Sequence, residues 1–383
     1  MQPAAVKTFS IHPFETPFDP ALVRAEIRAF LEENLDPATR CVNSWAAPDR
    51  AFTQALGAHG FIGMIWPAGY GGGGRHPLER YIVLEELLAA RAPVGLHWIA
   101  DRQSGPLLLR YGTEEQRQRF LPQMAKGELY ACIGMSEPGA GSDLASVRTR
   151  GERDGDGWRI NGQKLWTTNA HNAQIMIALV RTHTGEKRQE GLTQFLIELD
   201  SPGVAVRPII DLVGGHDFNE VFLEDVYVPD AMRVGPEGAG WSQVTAELSL
   251  ERSGPERYLS SYGLLVELIE YNKNAKDDAL EELIGRFVAE LWGLRQMSMS
   301  TAAKLASGDD PALEAAVVKD LGNAFEQELP RLVQGMLPQT AHTDDGALTA
   351  MLSTLLLVSP SFSLRGGTRE ILRSIIARGL GLR

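Results

Sequence analysis

The sequence predicts an α+β chain in three parts: helices, then a small antiparallel β unit, then a helical bundle. Three observations carry that reading. Apolar residues recur at helical spacing up to about residue 130 and again from about Gly238. Between those points the period shortens to alternation, as in the FNEVFLEDVYV of Phe218–Val228. The strongest hairpin signal, Asp154-Gly155-Asp156-Gly157, falls in the same middle stretch. The expected divisions are 1–130, 131–236 and 237–383, with no internal repeat or low-complexity tract.

Residues 1 to about 18 read as an irregular arm. From Pro20, Leu22, Ile27, Phe30 and Leu31 recur at helical spacing with acidic residues between them. Gly57–Gly74, GAHGFIGMIWPAGYGGGG, reads as a loop with a buried start. Its glycine run lacks the Lys-Ser/Thr of a phosphate loop and no strand-to-helix unit surrounds it, so it is expected to be a structural turn. Helical patterns return at Arg80–Ala90 and Gln103–Tyr111. A third begins at Thr113, an N-cap followed by Glu114 and Glu115, and runs to Lys126. His97 is expected to be a packed or capping histidine.

The β unit should pair Ser146–Gly151 with Trp158–Lys164 as a hairpin. It should continue through Gln174–Arg181, Thr193–Leu199, Val204–Pro208 and Phe218–Val228, with His216 in a turn. Expected C-terminal helices are Ser242–Glu251, Glu256–Tyr271, Ala279–Ser307, Pro311–Gln334, Gly346–Val358 and Thr368–Arg378.

Composition removes several classes of function. At 383 residues the chain has room for two or three domains and a large core, and 44% apolar with 22% charged content suits a soluble globular protein. Lys+Arg of 37 against Asp+Glu of 49 gives −12, which argues against nucleic acid as a partner. No apolar run approaches the ~20 residues that cross a bilayer, and the opening MQPAAVKTFS lacks an apolar signal core. Two cysteines, Cys41 and Cys132, cannot build a disulfide framework and point to a reducing, cytoplasmic setting. Cys132 sits in an apolar run and is expected to be a small core residue. No metal site is expected.

The chemistry concentrates between Ala131 and Asn169, ACIGMSEPGAGSDLASVRTRGERDGDGWRINGQKLWTTN. A short apolar run breaks at the Pro138-Gly139-Ala140-Gly141 turn, flanked by the hydroxyls of Ser136 and Ser142. The last strand ends in Trp166-Thr167-Thr168-Asn169, an aromatic ring beside hydroxyl donors. Ring and donors together suit a large, flat, polar-edged cofactor.

This segment resembles the flavin-binding middle domain of the acyl-CoA dehydrogenase family, in which a -SEPGAGSD- loop and a -W-T-N- strand wrap the isoalloxazine of FAD. The proline-then-YGG loop, the run YGTEEQRQRFLPQMAKGE and the strand FNEVFLEDVYVP resemble family segments too, so the likeness covers nearly the whole chain. It implies an N-terminal α-helical domain, a middle antiparallel β-barrel domain and a C-terminal four-helix-type bundle. It also implies FAD as cofactor, an acyl-CoA substrate and an electron-transferring flavoprotein as electron acceptor. Residues carried over for FAD are Ile133, Met135, Ser136, Ser142, Trp166, Thr168, Thr368 and Glu370; Ser142 and Arg252 are carried over for the substrate.

The family's reaction takes a proton from Cα of the thioester and a hydride from Cβ. So weak an acid needs a carboxylate base whose pKa is raised by burial, with hydrogen bonds to the carbonyl oxygen. Most members carry this Glu before a Gly-Thr near the C-terminus. The matching run here is Arg365-Gly366-Gly367-Thr368, and the base position is Gly366. Isovaleryl- and long-chain-type members carry the Glu on the first helix of the C-terminal bundle. That segment resembles Leu248-Ser249-Leu250-Glu251-Arg252, which makes Glu251 the expected base, with Glu247 one turn earlier in reserve.

Two family features are missing. Homomeric members complete the FAD site in trans with R-x-x-F-G and Q-x-x-G-G runs. The first place here reads Glu270-Tyr271-Asn272-Lys273-Asn274-Ala275-Lys276-Asp277, polar and loop-like; the second, near Asp344–Ser363, lacks the pattern. The neighbouring subunit is therefore either a paralogous chain that supplies these residues, as in heteromeric members acting on steroid side chains, or a second copy that uses others. A non-catalytic half-site subunit and an oxygen-using relative, an acyl-CoA oxidase or flavin monooxygenase, remain open.

Overall fold

The computed structural model describes residues 9–11, 14–251, 254–338 and 346–382, the side chains of 247–251 excepted. In chain order come helices α1 (Pro20–Asn34), α2 (Arg50–Ala58), α3 (Pro77–Ala89), α4 (Gly95–Ile99), α5 (Gly105–Tyr111) and α6 (Glu114–Ala125). Strands follow: β1 (Ala131–Gly134), β2 (Arg150–Asp154), β3 (Gly157–Thr168), β4 (Ile175–Arg181), β5 (Leu192–Glu198), β6 (Val204–Ile209), β7 (Phe218–Pro229) and β8 (Arg233–Val234). Helices α7 (Gly240–Glu251), α8 (Tyr262–Ala275), α9 (Asp278–Ala306), α10 (Ala312–Met336), α11 (Ala347–Val358) and α12 (Arg369–Gly379) close the chain. The order of helices, sheet and helices is the expected one.

By internal contacts the chain divides into two compact units, each assembled from separate stretches. The helical unit takes residues up to Ser44, Pro77–Ala92 and those from Ser249 onward, so it is built on α1, α3 and α8–α12. Asp19 caps α1 by accepting from Ala21 N at 2.9 Å, and the helix buries Val23, Ile27 and Phe30. Helix α10 buries Leu313, Val318, Phe325, Leu329 and Val333, with Phe325 edge-on to Phe287 of α9 at 5.4 Å. Each such side chain contributes about 1.5–3 kcal/mol by leaving water.

The other unit takes Trp45–His76 and Pro93–Leu248, which include α2, α4–α6 and the whole sheet. Strand order is β6-β7-β3-β2-β4-β5-β8, with β1 against β4. Pairing is antiparallel except along β1–β4 and at the Arg150–Arg181 join between β2 and β4. Ala140, Val147, Leu179, Leu192 and Val244 form a buried cluster, so the Gly-rich loop, two strands and α7 share one core.

Most elements start within a few residues of their expected ends; the exceptions have local causes. Strand β2 begins at Arg150 because Leu144–Ser146 wind into a tight turn, with Ser146 Oγ donating to the Asp143 carboxylate at 2.5 Å. Helix α2 runs into the stretch expected to be a loop; nine residues give too short a window for the helical period, although Asp49 caps it by accepting from Phe52 N at 2.9 Å. The expected Glu256–Tyr271 helix starts late: Pro255–Arg257 wind into a separate tight turn, and α8 begins at Tyr262. The Glu270–Asp277 stretch is helical through Ala275, not a loop; left-handed Lys276 ends α8 and Asp277 caps α9. His97 is buried as expected, its Nδ1 3.4 Å from the Thr53 hydroxyl.

Candidate active site

Strand β1 leads into the Gly-rich loop, and the loop lies alongside β3. Leu165 N donates to Ser136 O at 2.8 Å, which sets the -SEPGAGSD- motif beside the -LWTTN- strand. Beneath them Lys164 is fully buried. Its ammonium donates to Glu137 Oε1 at 2.8 Å, Leu179 O at 2.6 Å and Met135 O at 3.3 Å. The Glu137 carboxylate also accepts from Arg148 N at 2.6 Å and Thr149 N at 2.9 Å. A Cβ on Gly134 would fall 2.6 Å from Met176 Sδ and 3.2 Å from Lys164 Cγ, so Met176 and the lysine stem pack closely over this glycine. Burial pushes the Lys164 ammonium down to about 8 against the opposing pull of Glu137. Burial would raise the Glu137 carboxyl, but the Lys164 charge and the N–H donors outweigh it and hold the group below its ordinary value.

Two residues beyond Lys164, Trp166 takes a left-handed backbone at φ +60°. A bulky aromatic there is an outlier that costs on the order of 1–3 kcal/mol and persists only where its surroundings impose it. Here β3 slips register against β7 between Lys164 and Thr167, and Asn169, at φ +55°, anchors the far side. Asn169 N donates to Asp217 O at 2.9 Å and its side chain to Ala46 O at 2.8 Å. The strain turns the indole outward: Trp166 is 56% exposed, with Phe218 edge-on to it at 5.9 Å.

Of the other residues expected at the flavin, Ile133, Met135, Ser136 and Thr168 are half-buried and Ser142 is exposed. Among the described residues, no side chain or backbone group of the chain bonds the Thr168 or Ser142 hydroxyl. Gly139 and Gly141 face open space, with nothing within 4 Å of where a Cβ would be. An exposed aromatic face, free hydroxyls and an open glycine loop fit the isoalloxazine end of a flavin.

The other expected residues fall in the helical unit. Thr368 precedes α12, and Glu370 is exposed in its first turn, where its own backbone N–H and the Thr368 hydroxyl hold its carboxyl low. Gly366 and Gly367 both sit at positive φ, +63° and +103°. The position where most members carry the base therefore has glycine geometry as well as no carboxyl. Buried Lys319 donates to Gly367 O at 2.5 Å. Arg365 donates to Ser260 Oγ at 3.2 Å and to Glu326 Oε2 at 3.5 Å, while Ser260 N donates to Glu326 Oε1 at 2.8 Å. Burial raises the Glu326 carboxyl, with Arg365 and Ser260 opposing it.

Glu247 and Glu251 are four residues apart on α7, which ends at Glu251. The side chains of both, and Arg252 altogether, lie outside the described residues. Lys164, Glu137 and Glu326 are not among the residues expected at the site from the sequence. For Lys164 a signal exists: it shares the inward parity of buried Trp158 and Ile160 along β3. A charge at that parity asks for a buried partner.

Fold and motif geometry together define a flavin-holding α–β–α chain. Three family models cover its length: acyl-CoA dehydrogenase N-terminal domain at residues 19–128, middle domain at 132–226 and C-terminal domain at 238–381. Acyl-CoA dehydrogenase IpdE1 of Mycobacterium tuberculosis is 35% identical, over 94% of this chain and 97% of that one. Among solved structures, the Tcur3481-Tcur3483 steroid ACAD superposes with a TM-score of 0.87 at 26% identity, covering 96% of this chain and 98% of that chain. The ChsE4-ChsE5 complex from Mycobacterium tuberculosis gives 0.84 at 30% identity, over 96% and 97%. The chain belongs to the acyl-CoA dehydrogenase family, whose cofactor is FAD. Among the described residues, no helix is long and apolar enough to cross a membrane.

Proposed function

We propose that this chain carries out FAD-dependent α,β-dehydrogenation of an acyl-CoA thioester to the 2-enoyl-CoA, with electrons passed to an electron-transferring flavoprotein. The observation that supports it most is outward-turned, strained Trp166 set beside Ser136 and the open glycine loop. Bound FAD supplies the acceptor for the Cβ hydride. In this reading Ile133, Met135, Ser136, Ser142, Trp166 and Thr168 hold its ring end, and Thr368 with Glu370 contribute from α12. Ser142 also steadies the thioester end, and Arg252 meets a phosphate of CoA.

Glu251 takes the Cα proton. A glycine at 366 leaves that loop without a carboxylate, which favours the helix position. The three-part division at 130/131 and 236/237 follows the same family reading. Two cysteines that form no disulfide fit a cytoplasmic setting. Replacing Glu251 by Gln should leave FAD bound, with its visible bands intact, and reduce the rate of bleaching by acyl-CoA at least about 10³-fold. Full-rate bleaching by Glu251→Gln would move the base elsewhere.

A two-chain assembly is a second element of the proposal. The chain lacks both trans runs of the homomeric members, and its structural relatives include a complex named for two different chains. Expression of this chain alone should give low FAD occupancy that rises on adding a paralogous subunit. Full occupancy and turnover from this chain alone would favour the homomer.

A further inference from the structure

We infer that Lys164 is a positioning residue for the flavin, acting through one peptide group. By gripping the Met135 carbonyl it aims the Ser136 N–H at the cofactor and strengthens it as a donor. This rests on the flavin reading above and goes further, into how the protein sets cofactor affinity and potential.

The three ammonium hydrogens of Lys164 match three acceptors: Glu137 Oε1, Leu179 O and Met135 O. The Met135 carbonyl and the Ser136 N–H belong to the same peptide unit. A carbonyl held by a cation polarises its peptide and makes the N–H at the other end a better donor. Ser136 O is already occupied by Leu165 N, so the residue is pinned on both sides of its Cα. Among the described residues, the Ser136 N–H has no acceptor within the chain. It is a fixed, strengthened donor on the residue bonded to Leu165, next to Trp166 in β3, the kind of preorganised dipole that acts most strongly where water is excluded.

Fold stability does not account for the pair. Two apolar side chains of the same volume would commonly hold a core as well as a buried ion pair does. Glu137 also keeps Lys164 charged, since burial drives the ammonium proton off and the carboxylate opposes its loss. The donor strength of Ser136 is thus maintained by a charge that never touches the cofactor.

The test uses the assembled holoenzyme and the double variant Lys164→Met/Glu137→Gln, which removes both charges and leaves neither unpaired. Melting temperature, FAD dissociation constant and flavin midpoint potential are measured without substrate. The inference expects near-native melting, FAD binding weakened about tenfold, and a lower potential. The electron-rich reduced ring draws more on a hydrogen-bond donor than the oxidised ring does. A further tenfold loss for reduced over oxidised flavin reads as a fall of about 30 mV for a two-electron couple. Affinity within twofold of wild type together with an unchanged potential would overturn it.

Should the double variant not fold, wild-type enzyme labelled with ¹⁵N-serine decides the matter: the Ser136 amide proton should move upfield when FAD is removed. An amide that does not respond overturns the inference. A wild-type holoenzyme that binds no FAD at all would instead bring down the flavin reading itself, and this inference with it.

Discussion

Among the buried carboxylates that face a basic partner, Glu137 and Glu326, one in each unit, respond in opposite directions. Glu137, in the sheet unit, is held below its ordinary pKa; Glu326, on α10, is pushed above it. Burial opposes charge in both. The difference lies in how deep the group is buried and in what answers it: Glu326 is fully buried, while Glu137 keeps a small exposed edge. Glu137 has an ammonium at 2.8 Å and two backbone N–H donors at 2.6 and 2.9 Å. Glu326 has one backbone N–H at 2.8 Å and a guanidinium only at 3.5 Å. Shallower burial, a nearer cation and one more backbone donor together leave Glu137 preferring its charge. The well-answered pair lies under the flavin motif; the poorly answered one braces the glycine loop that carries no base.

The largest effect should come from breaking the better pair on one side only. Lys164→Met strands a buried carboxylate with its two N–H donors, and such one-sided losses cost about 3–5 kcal/mol. Urea denaturation should show it, and the double variant should recover most of the loss. The wild-type difference from Lys164→Met also carries a pH signature. Because the Lys164 pKa is depressed from 10.5 to about 8, the folded state binds fewer protons than the unfolded chain in that window. Wild-type stability relative to the variant should therefore rise as pH climbs from about 8 towards 10.5. A flat difference would mean the ammonium is less buried than it stands here.

Glu326→Gln should be milder, about 1–2 kcal/mol at neutral pH, because the amide keeps the Ser260 bond and the lost charge was disfavoured already. Its sign with pH separates the two carboxylates. A raised folded pKa means that the native state binds the proton more readily, so the Glu326 contribution is fullest below the ordinary 4.5 and declines as pH rises through the folded value. For Glu137 the folded pKa is depressed, so its contribution is present above 4.5 and is lost as pH falls through the folded value. Wild-type-minus-variant curves for Glu326→Gln and Glu137→Gln should thus slope oppositely on the acid side. Parallel slopes would erase the contrast between the pairs.

What the sequence makes legible is whatever repeats or carries a turn residue. Strand β7 follows from its alternation, and the Thr113 cap of α6 stands as expected, with Gln116 completing a reciprocal box at 3.1 and 3.2 Å. The flavin motifs are readable because loop and strand are near in sequence. The pairing of Glu326 with Arg365 and Ser260 is not, since the three residues come from three separate segments and no local pattern links them. Trp166 stands out in the sequence for its ring; its left-handed backbone depends on a register slip against β7, some fifty residues downstream, which no window on β3 contains.

A neutral network in the helical unit gives the smallest effect and a control for the charged ones. Tyr81 donates to Ser298 Oγ at 2.8 Å, and its own oxygen lies 2.6 Å from the Tyr258 hydroxyl, so Tyr258 is the donor between them. Burial raises both phenols far above any working pH. Tyr258→Phe removes one accepted bond from Tyr81 and leaves its donation to Ser298 in place. No charge and no unpaired donor is left behind, so the loss should be about 1 kcal/mol by urea denaturation. It should also be flat between about pH 5 and 8, since neither partner titrates there. Glu85 is among the charges felt by both tyrosines. A loss that varied with pH would show that this carboxylate, which pairs with Arg295 and Arg24, is coupled to the hydroxyl chain, and that a network of neutral groups can inherit the behaviour of the ion pairs beside it.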